Sequence, residues 1–201
     1  MVNPQDPRVM RTRQFIREAF RELLRSKDFD AISIKDITQQ AAINRATFYA
    51  HYEDKYALLE EYTEQFFHDM VPEEVMNAQE FTAEICDQLI LLTHRYIVDF
   101  YQTCRMVSKS IATLVDEQIK RMLQQIIESL LTKGPATDLS QSKIVSAMTA
   151  SAIYGAAHHW FTDGDQHRTG LLVQMVRPYV MNGLDVLNTS RPKSGGISSA
   201  T

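Results

Sequence analysis

The chain of 201 residues has little that would indicate a crosslinked, fibrous or disordered protein, since it contains only two cysteines, seven glycines and six prolines. Cys86 and Cys104 are too few for the disulfide framework of a small secreted domain. We therefore expect buried, reduced thiols and a cytoplasmic setting. The low glycine and proline content excludes a collagen-like repeat and argues against extensive disorder.

Long apolar runs are missing as well. No stretch reaches the roughly 18 uninterrupted apolar residues that a membrane-spanning helix needs, and the charged N-terminus lacks the apolar segment of a signal peptide. No run of β-branched residues alternates at a period of two, and no Asn-Gly or Asp-Gly turn joins two such runs. The sequence predicts an all-α protein that makes no use of a membrane.

Charge is spread unevenly along the chain. The whole chain carries 21 Lys and Arg against 25 Asp and Glu. Residues 1–55, however, hold ten basic against eight acidic side chains, whereas residues 56–201 hold 11 against 17. This asymmetry is a weak indication that the first quarter of the chain meets a polyanion.

Four helices are predicted in the first third of the chain. The first spans about 8–27, and its apolar stripe consists of Phe15, Ile16, Ala19, Phe20, Leu23 and Leu24. The second begins after Ser33, an N-cap with Asp36 three residues later. The third covers about 44–51 with Asn44 as its N-cap, and the fourth begins near residue 54 and ends before Pro72.

The rest of the chain is predicted to form longer helices over about 78–101, 111–132, 139–162 and 165–187. Gly134 and Gly164 are expected to stop two of them, Asp165 to cap the last, and Pro178 to kink it. The tail, residues 189–201, lacks apolar residues that could pack and is expected to be disordered.

The segment between Ser33 and His51 has the pattern of a helix-turn-helix. Its second helix is too short to be stable alone, so we expect Phe48 and Ile43 to hold it against the first. The side chains on its free face are Asn44, Arg45, Thr47, Tyr49 and His51. Their hydrogen-bonding groups suit the phosphates and base edges of a DNA major groove. Lys55 lies in a first helical turn, where its positive charge opposes the helix dipole. This placement makes sense if a phosphate also binds there.

This segment resembles the DNA-binding domain of the TetR family of bacterial transcriptional repressors. The resemblance lies in S-x-x-D-I-x-x-x-A, which begins at Ser33, and in T-F-Y-A-H-Y-E-D-K-Y-A-L-L, which begins at Thr47. Ala42 departs from the pattern, since the family usually has glycine in the turn. A left-handed conformation would cost about 1 kcal/mol at an alanine.

The resemblance implies roles for individual residues. Asn44, Arg45 and Thr47 would approach base edges or nearby phosphates, while Tyr49 and His51 would contact phosphates. Lys35 would reach the groove, and Lys55 would hold a phosphate. Arg11 or Arg13 would contact the flanking backbone. The implied architecture is a DNA-binding domain over residues 8–55, a helical effector-binding and dimerisation domain over residues 56–188, and the tail. The second domain resembles the family only in layout.

Two features beyond residue 60 fit that layout. Small residues between Ser146 and Ala156 and the apolar stripe from Leu171 to Leu187 would form a four-helix interface in a homodimer; alternatively, both belong to the core. Candidates for contact with a small-molecule effector are Phe66, Phe67, Tyr96, Phe100, His159 and Trp160. These side chains would equally suit an ordinary core.

The sequence thus predicts a DNA-binding regulator, a repressor released from a palindromic operator by a small molecule. The alternative is a dimeric regulator of the same fold without an effector. An enzyme built on His158, His159, Asp163 and Asp165 is disfavoured, because no nucleophile, base and orienting group occur together. We expect no cofactor and no metal site, since adjacent histidines point to different helix faces.

Overall fold

The computed structural model describes residues 6–104, 109–133, 139–164 and 168–189. These ranges contain α-helices, one short 3-10 helix and no strand, so the predicted all-α class is confirmed. The α-helices are α1 (Pro7–Ser26), α2 (Ile34–Gln40), α3 (Arg45–Tyr49), α4 (Lys55–Met70), α5 (Glu73–Asn77), α6 (Ala83–Thr103), α7 (Lys109–Lys133), α8 (Leu139–Thr162) and α9 (Thr169–Thr189).

Helix α1 begins as the sequence chemistry dictates. The Asp6 side chain accepts a hydrogen bond from the Arg8 N–H over 2.8 Å, and Pro7 occupies the first turn. The buried stripe contains Ile16, Ala19, Phe20, Leu23 and Leu24. Phe15 was predicted to belong to it, but its ring is exposed and lies 5.7 Å from the Arg11 guanidinium. Phe15 is at the edge of the stripe, where the helix surface already turns toward solvent.

The buried apolar residues form one cluster that runs from α1 to α9. Helix α4 joins its two halves, because Leu58 and Phe67 are both almost fully buried near opposite ends of that helix. Helices α6, α7, α8 and α9 pack against one another in the C-terminal part. The boundary between residues 55 and 56 therefore remains a prediction, and α4 belongs physically to both halves.

The segment after α4 differs from the prediction. The helix expected from residue 78 begins at Ala83, where the Thr82 hydroxyl accepts a hydrogen bond from the Ile85 N–H over 3.3 Å. The short helix α5 precedes it. Pro72 precedes this helix, Glu73 and Glu74 lie at its positive end, and Val75 is buried. Five residues are too few to show a helical period, so the sequence pattern missed α5.

The end of α8 agrees with the prediction, because Gly164 has a φ of +80°, which glycine adopts freely. Helix α9 begins at Thr169 and contains Pro178. The expected stop at Gly134 and the cap at Asp165 lie outside the described residues. Of the tail predicted over residues 189–201, Thr189 still belongs to α9, and the remainder lies outside the described residues as well.

The thiols of Cys86 and Cys104 are buried, as predicted, and neither is in a disulfide. Burial raises the pKa of each thiol to about 12, so both are protonated at neutral pH. In the described part of the chain, no helix is long and apolar enough to cross a bilayer.

Candidate nucleic-acid interface

Helix α2 is fixed by a reciprocal cap, as its sequence predicts. The Ser33 hydroxyl accepts a hydrogen bond from the Asp36 N–H over 3.2 Å, and the Asp36 carboxylate accepts one from the Ser33 N–H over 2.9 Å. Hydrogen bonds from Ser33 and Lys27 hold the pKa of the Asp36 carboxyl well below its usual range. The start of α2 is therefore well defined, which orients the turn that follows.

The turn between α2 and α3 places an alanine in the left-handed region. Ala42 has a φ of 52°. Its N–H donates to the Gln39 carbonyl over 3.2 Å, and the Ile43 N–H donates to the Thr38 carbonyl over 3.0 Å. The conformation costs a residue other than glycine about 1–2 kcal/mol. The turn expected by resemblance forms despite the missing glycine.

Helix α3 is a five-residue stub that its neighbours hold in place. The Asn44 side-chain oxygen accepts hydrogen bonds from the Thr47 N–H over 2.7 Å and from the Thr47 hydroxyl over 3.0 Å. The Phe48 side chain is 0% exposed, and its ring lies 5.7 Å from that of Tyr52. The inward-facing side of α3 is thus packed against the rest of the domain. The cap engages only the oxygen of Asn44, which leaves its NH₂ group able to donate outward.

The outer side of α3 remains available to a partner. Asn44 and Arg45 are exposed, and Tyr49 is 55% exposed, while Thr47 and His51 are half-buried. Lys35 is exposed on α2. Burial, followed by the positive charge of Arg13, lowers the pKa of His51, so its ring is neutral near pH 7 and one nitrogen can donate.

The structure gives Lys55 a role within the chain. Its Nζ donates to the carbonyl oxygens of Phe29 and Ile32, each over 2.9 Å, and to that of Asp30 over 3.3 Å. It also lies 4.5 Å from the centre of the Phe29 ring. An ammonium group has three hydrogens, and three carbonyls surround this one. The phosphate contact that the resemblance implies for Lys55 therefore competes with a complete set of internal partners.

The model of bacterial regulatory proteins of the tetR family matches residues 16–62. The match contains most of α1, the whole of α2 and α3 and the first half of α4. By this N-terminal domain, the chain belongs to the TetR family. Residues 16–62 thus form the helix-turn-helix DNA-binding domain of that family.

Two curated relatives match parts of this chain. It is 48% identical over 56 residues, or 27% of its length, to the uncharacterized HTH-type transcriptional regulator YxbF of Bacillus subtilis. It is 29% identical over 119 residues, or 58% of its length, to the HTH-type dhaKLM operon transcriptional activator DhaS of Lactococcus lactis. The matches span 15% and 60% of those relatives, so neither extends over two thirds of the relative's own length.

Solved structures share the fold over most of the chain. A TetR transcriptional regulator from Streptococcus agalactiae has a TM-score of 0.57 and 21% identity, covering 88% of this chain and 97% of its own. The dihydroxyacetone kinase operon activator DhaS has a TM-score of 0.54 and 21% identity, covering 88% and 98%. At this identity the likeness concerns the fold alone: an N-terminal helix-turn-helix followed by a helical C-terminal part.

Some arginines of α1 contact α4, and others are exposed. Arg13 and Arg17 both form ion pairs with Glu61 of α4. Arg11 is exposed, so of the two arginines that the resemblance offered for the flanking backbone, Arg11 is the less engaged. Nothing in the sequence singles out Glu61, because one acidic residue on a helix surface carries no distinguishing signal.

The candidates for effector contact do not share one environment. Phe67, Tyr96 and Phe100 are buried, and the Tyr96 ring lies 5.5 Å from that of Phe67 and 6.0 Å from that of Phe100. These three side chains belong to the core. The His159 side chain is 78% exposed, and its Nε2 lies 3.2 Å from an Asp163 carboxylate oxygen. His159 therefore faces solvent rather than the aromatic core.

The remaining two candidates, Phe66 and Trp160, are only partly buried. Phe66 is half-buried and, with Tyr62 and Thr103, lines a groove of about 400 Å³ between α1 and α4. The Tyr62 and Phe66 rings are stacked with their centres 6.2 Å apart. Trp160 has a buried Nε1 with no hydrogen-bond acceptor among the described residues. Within those residues, no cluster of three or more His, Cys, Asp or Glu side chains could hold a metal ion.

Another exposed surface lies on α8 and α9. The predicted apolar stripe of α9 divides, since Leu172, Val176, Val180 and Leu184 are buried, while three large residues of the same helix face outward. Together with two residues of α8 they form what we call the α8–α9 face: Ile144, Met148, Leu171, Met175 and Tyr179. Met175 is 69% and Tyr179 74% exposed. The alternative of a purely internal stripe is therefore wrong for these residues in the single chain.

Proposed function

We propose that this TetR-family regulator is a homodimeric repressor that binds a palindromic operator and leaves it when a small molecule binds. One observation carries the DNA-binding part of the proposal. Helix α3 is anchored inward by Phe48, which is 0% exposed, while Asn44, Arg45 and Tyr49 point their polar groups outward. A stub held in this way presents side chains to a groove without having to be stable alone.

The DNA contacts divide into reading and positioning. We assign Asn44, Arg45 and Thr47 to base edges, because amide and guanidinium groups form paired hydrogen bonds with them. Tyr49 and His51 contact phosphates, and Lys35 reaches the groove from α2. For Lys55 we now favour an internal role, given its three carbonyl partners.

The α8–α9 face supports the homodimer. A monomer gains nothing from exposing Met175 and Tyr179 in one continuous apolar surface. Gly155 and Gly183 add to the argument, since a Cβ at either position would meet no described atom within 4 Å beyond the backbone of its own helix and its two chain neighbours. A glycine inside a helix costs up to about 1 kcal/mol relative to alanine, and close approach of a second copy would give these glycines a purpose. A two-fold dimer would place its α3 helices about 34 Å apart, or a multiple of that distance, on a palindrome.

Effector release would follow from linkage between two sites. DNA favours the dimer arrangement whose α3 spacing fits the groove, and a ligand that favours another arrangement weakens binding by its differential affinity. Helix α4 is the proposed lever, because Lys55 at its start bonds to the carbonyls of Phe29 and Ile32 just before α2, while Phe66 lies near its other end. The groove beside Phe66 also touches α1, so a ligand there would contact both halves.

The alternative is a regulator of this fold that senses no small molecule. The mutual packing of Phe67, Tyr96 and Phe100 favours this alternative, because these rings fill the interior that a ligand would occupy. Release of the protein from its operator by members of a chemical library separates the two proposals. A ligand that acts on the wild type but not on Phe66→Ala would support the effector.

The direction of regulation is tested separately. The relative DhaS is by its name an activator, whereas we propose repression. A reporter gene placed behind the operator should rise in expression when the regulator is deleted. A fall would make the protein an activator while leaving the DNA contacts unaffected.

Substituting Arg45 tests the reading role of α3. A duplex selected from a random library by the wild type provides the reference operator. Arg45→Ala should lose about 1–3 kcal/mol of discrimination at particular base pairs, measured as affinities for duplexes with single base-pair changes. Arg95→Ala, at an exposed arginine of α6, is the control and should discriminate as the wild type does. Unchanged discrimination in Arg45→Ala would remove Arg45 from the reading set.

A further inference from the structure

One carboxylate of α4 holds together the elements that position α3. Both oxygens of Glu61 are engaged. Oε1 accepts hydrogen bonds from Tyr52 Oη over 2.9 Å and from Arg17 Nη1 over 3.0 Å, and Oε2 pairs with Arg13 Nη2. The Glu61 side chain is only 25% exposed, so water screens these contacts less than it would on an open surface.

Tyr52 connects this carboxylate to α3. It follows α3 closely, and its N–H donates to the Phe48 carbonyl over 3.0 Å. Its ring packs on that of Phe48, and the Arg13 guanidinium lies 5.2 Å from the ring centre. Burial raises the pKa of Tyr52 to about 12, so its hydroxyl remains a donor at neutral pH. A shift of Glu61 would therefore act on the residue that anchors the end of α3.

The opposite side of α4 is held by the C-terminal helices within the same helical turn. Gln118 of α7 accepts a hydrogen bond from the Thr63 hydroxyl over 2.5 Å and donates to the Glu60 carbonyl over 2.7 Å. The Tyr96 hydroxyl of α6 donates to the Thr63 carbonyl over 3.3 Å. Thr63 and Gln118 are buried, so breaking these bonds would leave polar groups without water.

From these contacts we infer that Glu61 is a positioning residue, which makes α3 follow α4 and, through Gln118, follow α7. The inference rests on the proposed DNA contacts of α3. It adds a physical connection between those contacts and the C-terminal helices. The connection is the Glu61 carboxylate, which binds the guanidinium groups of Arg13 and Arg17 and the hydroxyl of Tyr52. Glu61 itself touches no DNA in this account and acts through Tyr52 and Arg13.

The first test replaces the charge and keeps the shape. Glu61→Gln should bind the selected operator about tenfold more weakly, as expected when one coupled network is lost. Hydrogen exchange should increase in residues 45–52 while exchange in α8 and α9 stays as in the wild type. Glu64→Gln, an exposed site one turn further along α4, is the matched control and should match the wild type in both measurements.

The second test asks whether Glu61 acts on α3 through Tyr52, and whether it couples the position of α3 to that of α7. Tyr52→Phe removes only the hydroxyl. Its effect on affinity should largely disappear in the Glu61→Gln background, and so should the effect of Gln118→Leu. Effects that simply multiply would overturn the inference, as would equal operator affinity in Glu61→Gln and Glu64→Gln. If the wild type selects no duplex at all, the proposed function fails instead, and this outcome is distinct because it precedes every variant.

Discussion

The surface of α3 and the α8–α9 face are both left uncovered by the residues that the structure describes, but they expose opposite chemistry. Around α3 the large apolar group, Phe48, is turned inward and polar groups face out. On the α8–α9 face, Met175 and Tyr179 face out instead. Polar donors suit a phosphate-rich groove, whereas apolar side chains are stabilised by a second apolar surface. The difference is what we expect if, as proposed, α3 meets a nucleic acid and the α8–α9 face meets a second copy of the chain.

The largest effect is expected from placing a charge on the apolar α8–α9 face. Met175→Asp should weaken dimerisation at least about 100-fold, because each of two symmetric copies loses about 1.5–3 kcal/mol of apolar burial. Sedimentation across a concentration series measures the change. Met76→Asp places the same substitution at an exposed methionine of α5 and should leave the association unchanged. Equal effects of both substitutions would show that dimerisation does not use the α8–α9 face.

A smaller effect is expected from replacing Lys55, and it distinguishes a lysine with partners inside the chain from one that binds DNA. Lys55→Met should lower the free energy of unfolding by about 1.5–3 kcal/mol, because a charged group loses its hydrogen bonds to three carbonyls. The salt dependence of operator binding should not change. The measurements are denaturant unfolding and affinity at several salt concentrations.

Lys35→Met is the counterpart to Lys55→Met, since Lys35 is exposed on α2. Its stability should stay within about 0.5 kcal/mol of the wild type. Its log–log salt slope should fall by about 1, the signature of one lost phosphate contact. If instead Lys55→Met lowers the slope by that amount at unchanged stability, the phosphate role implied by the resemblance is correct.

The smallest expected effect concerns the turn that orients α3. Ala42→Gly should raise the free energy of unfolding by about 0.5–1 kcal/mol, since glycine relieves the left-handed strain but gains freedom in the unfolded chain. Ala46→Gly, at an exposed position inside α3, should lower it by about 1 kcal/mol. Urea unfolding compares the two. A loss in Ala42→Gly like that in Ala46→Gly would contradict the positive φ at Ala42.

Local chemistry made much of the N-terminal half predictable. Ser33 with Asp36, and Asn44 with Thr47, form their caps through bonds that span three residues, so the sequence contains both partners side by side. The left-handed conformation of Ala42 was raised only by the resemblance, because the family usually has glycine in this turn. Phe48 is buried because it is the one large side chain on α3 that has no polar group.

Long-range contacts limited the prediction elsewhere. Lys55 looked available for a phosphate because its carbonyl partners lie more than 20 residues earlier in the chain. Phe67, Tyr96 and Phe100 looked equally suited to a pocket or a core, and only their mutual packing places them in the core. Helix α5 was missed because five residues show no period.

The sequence by itself determined the helical class, the capped helix-turn-helix and the outward polar face of α3, since caps and periodic stripes depend on neighbours within a few positions. The tertiary structure alone decided where the charges are directed: Lys55 toward three backbone carbonyls, and Arg13 and Arg17 toward Glu61. The physical reason is that a charged side chain takes the partner that folding brings nearest, and residues 44 or 48 positions apart are paired only once α1 and α4 have packed.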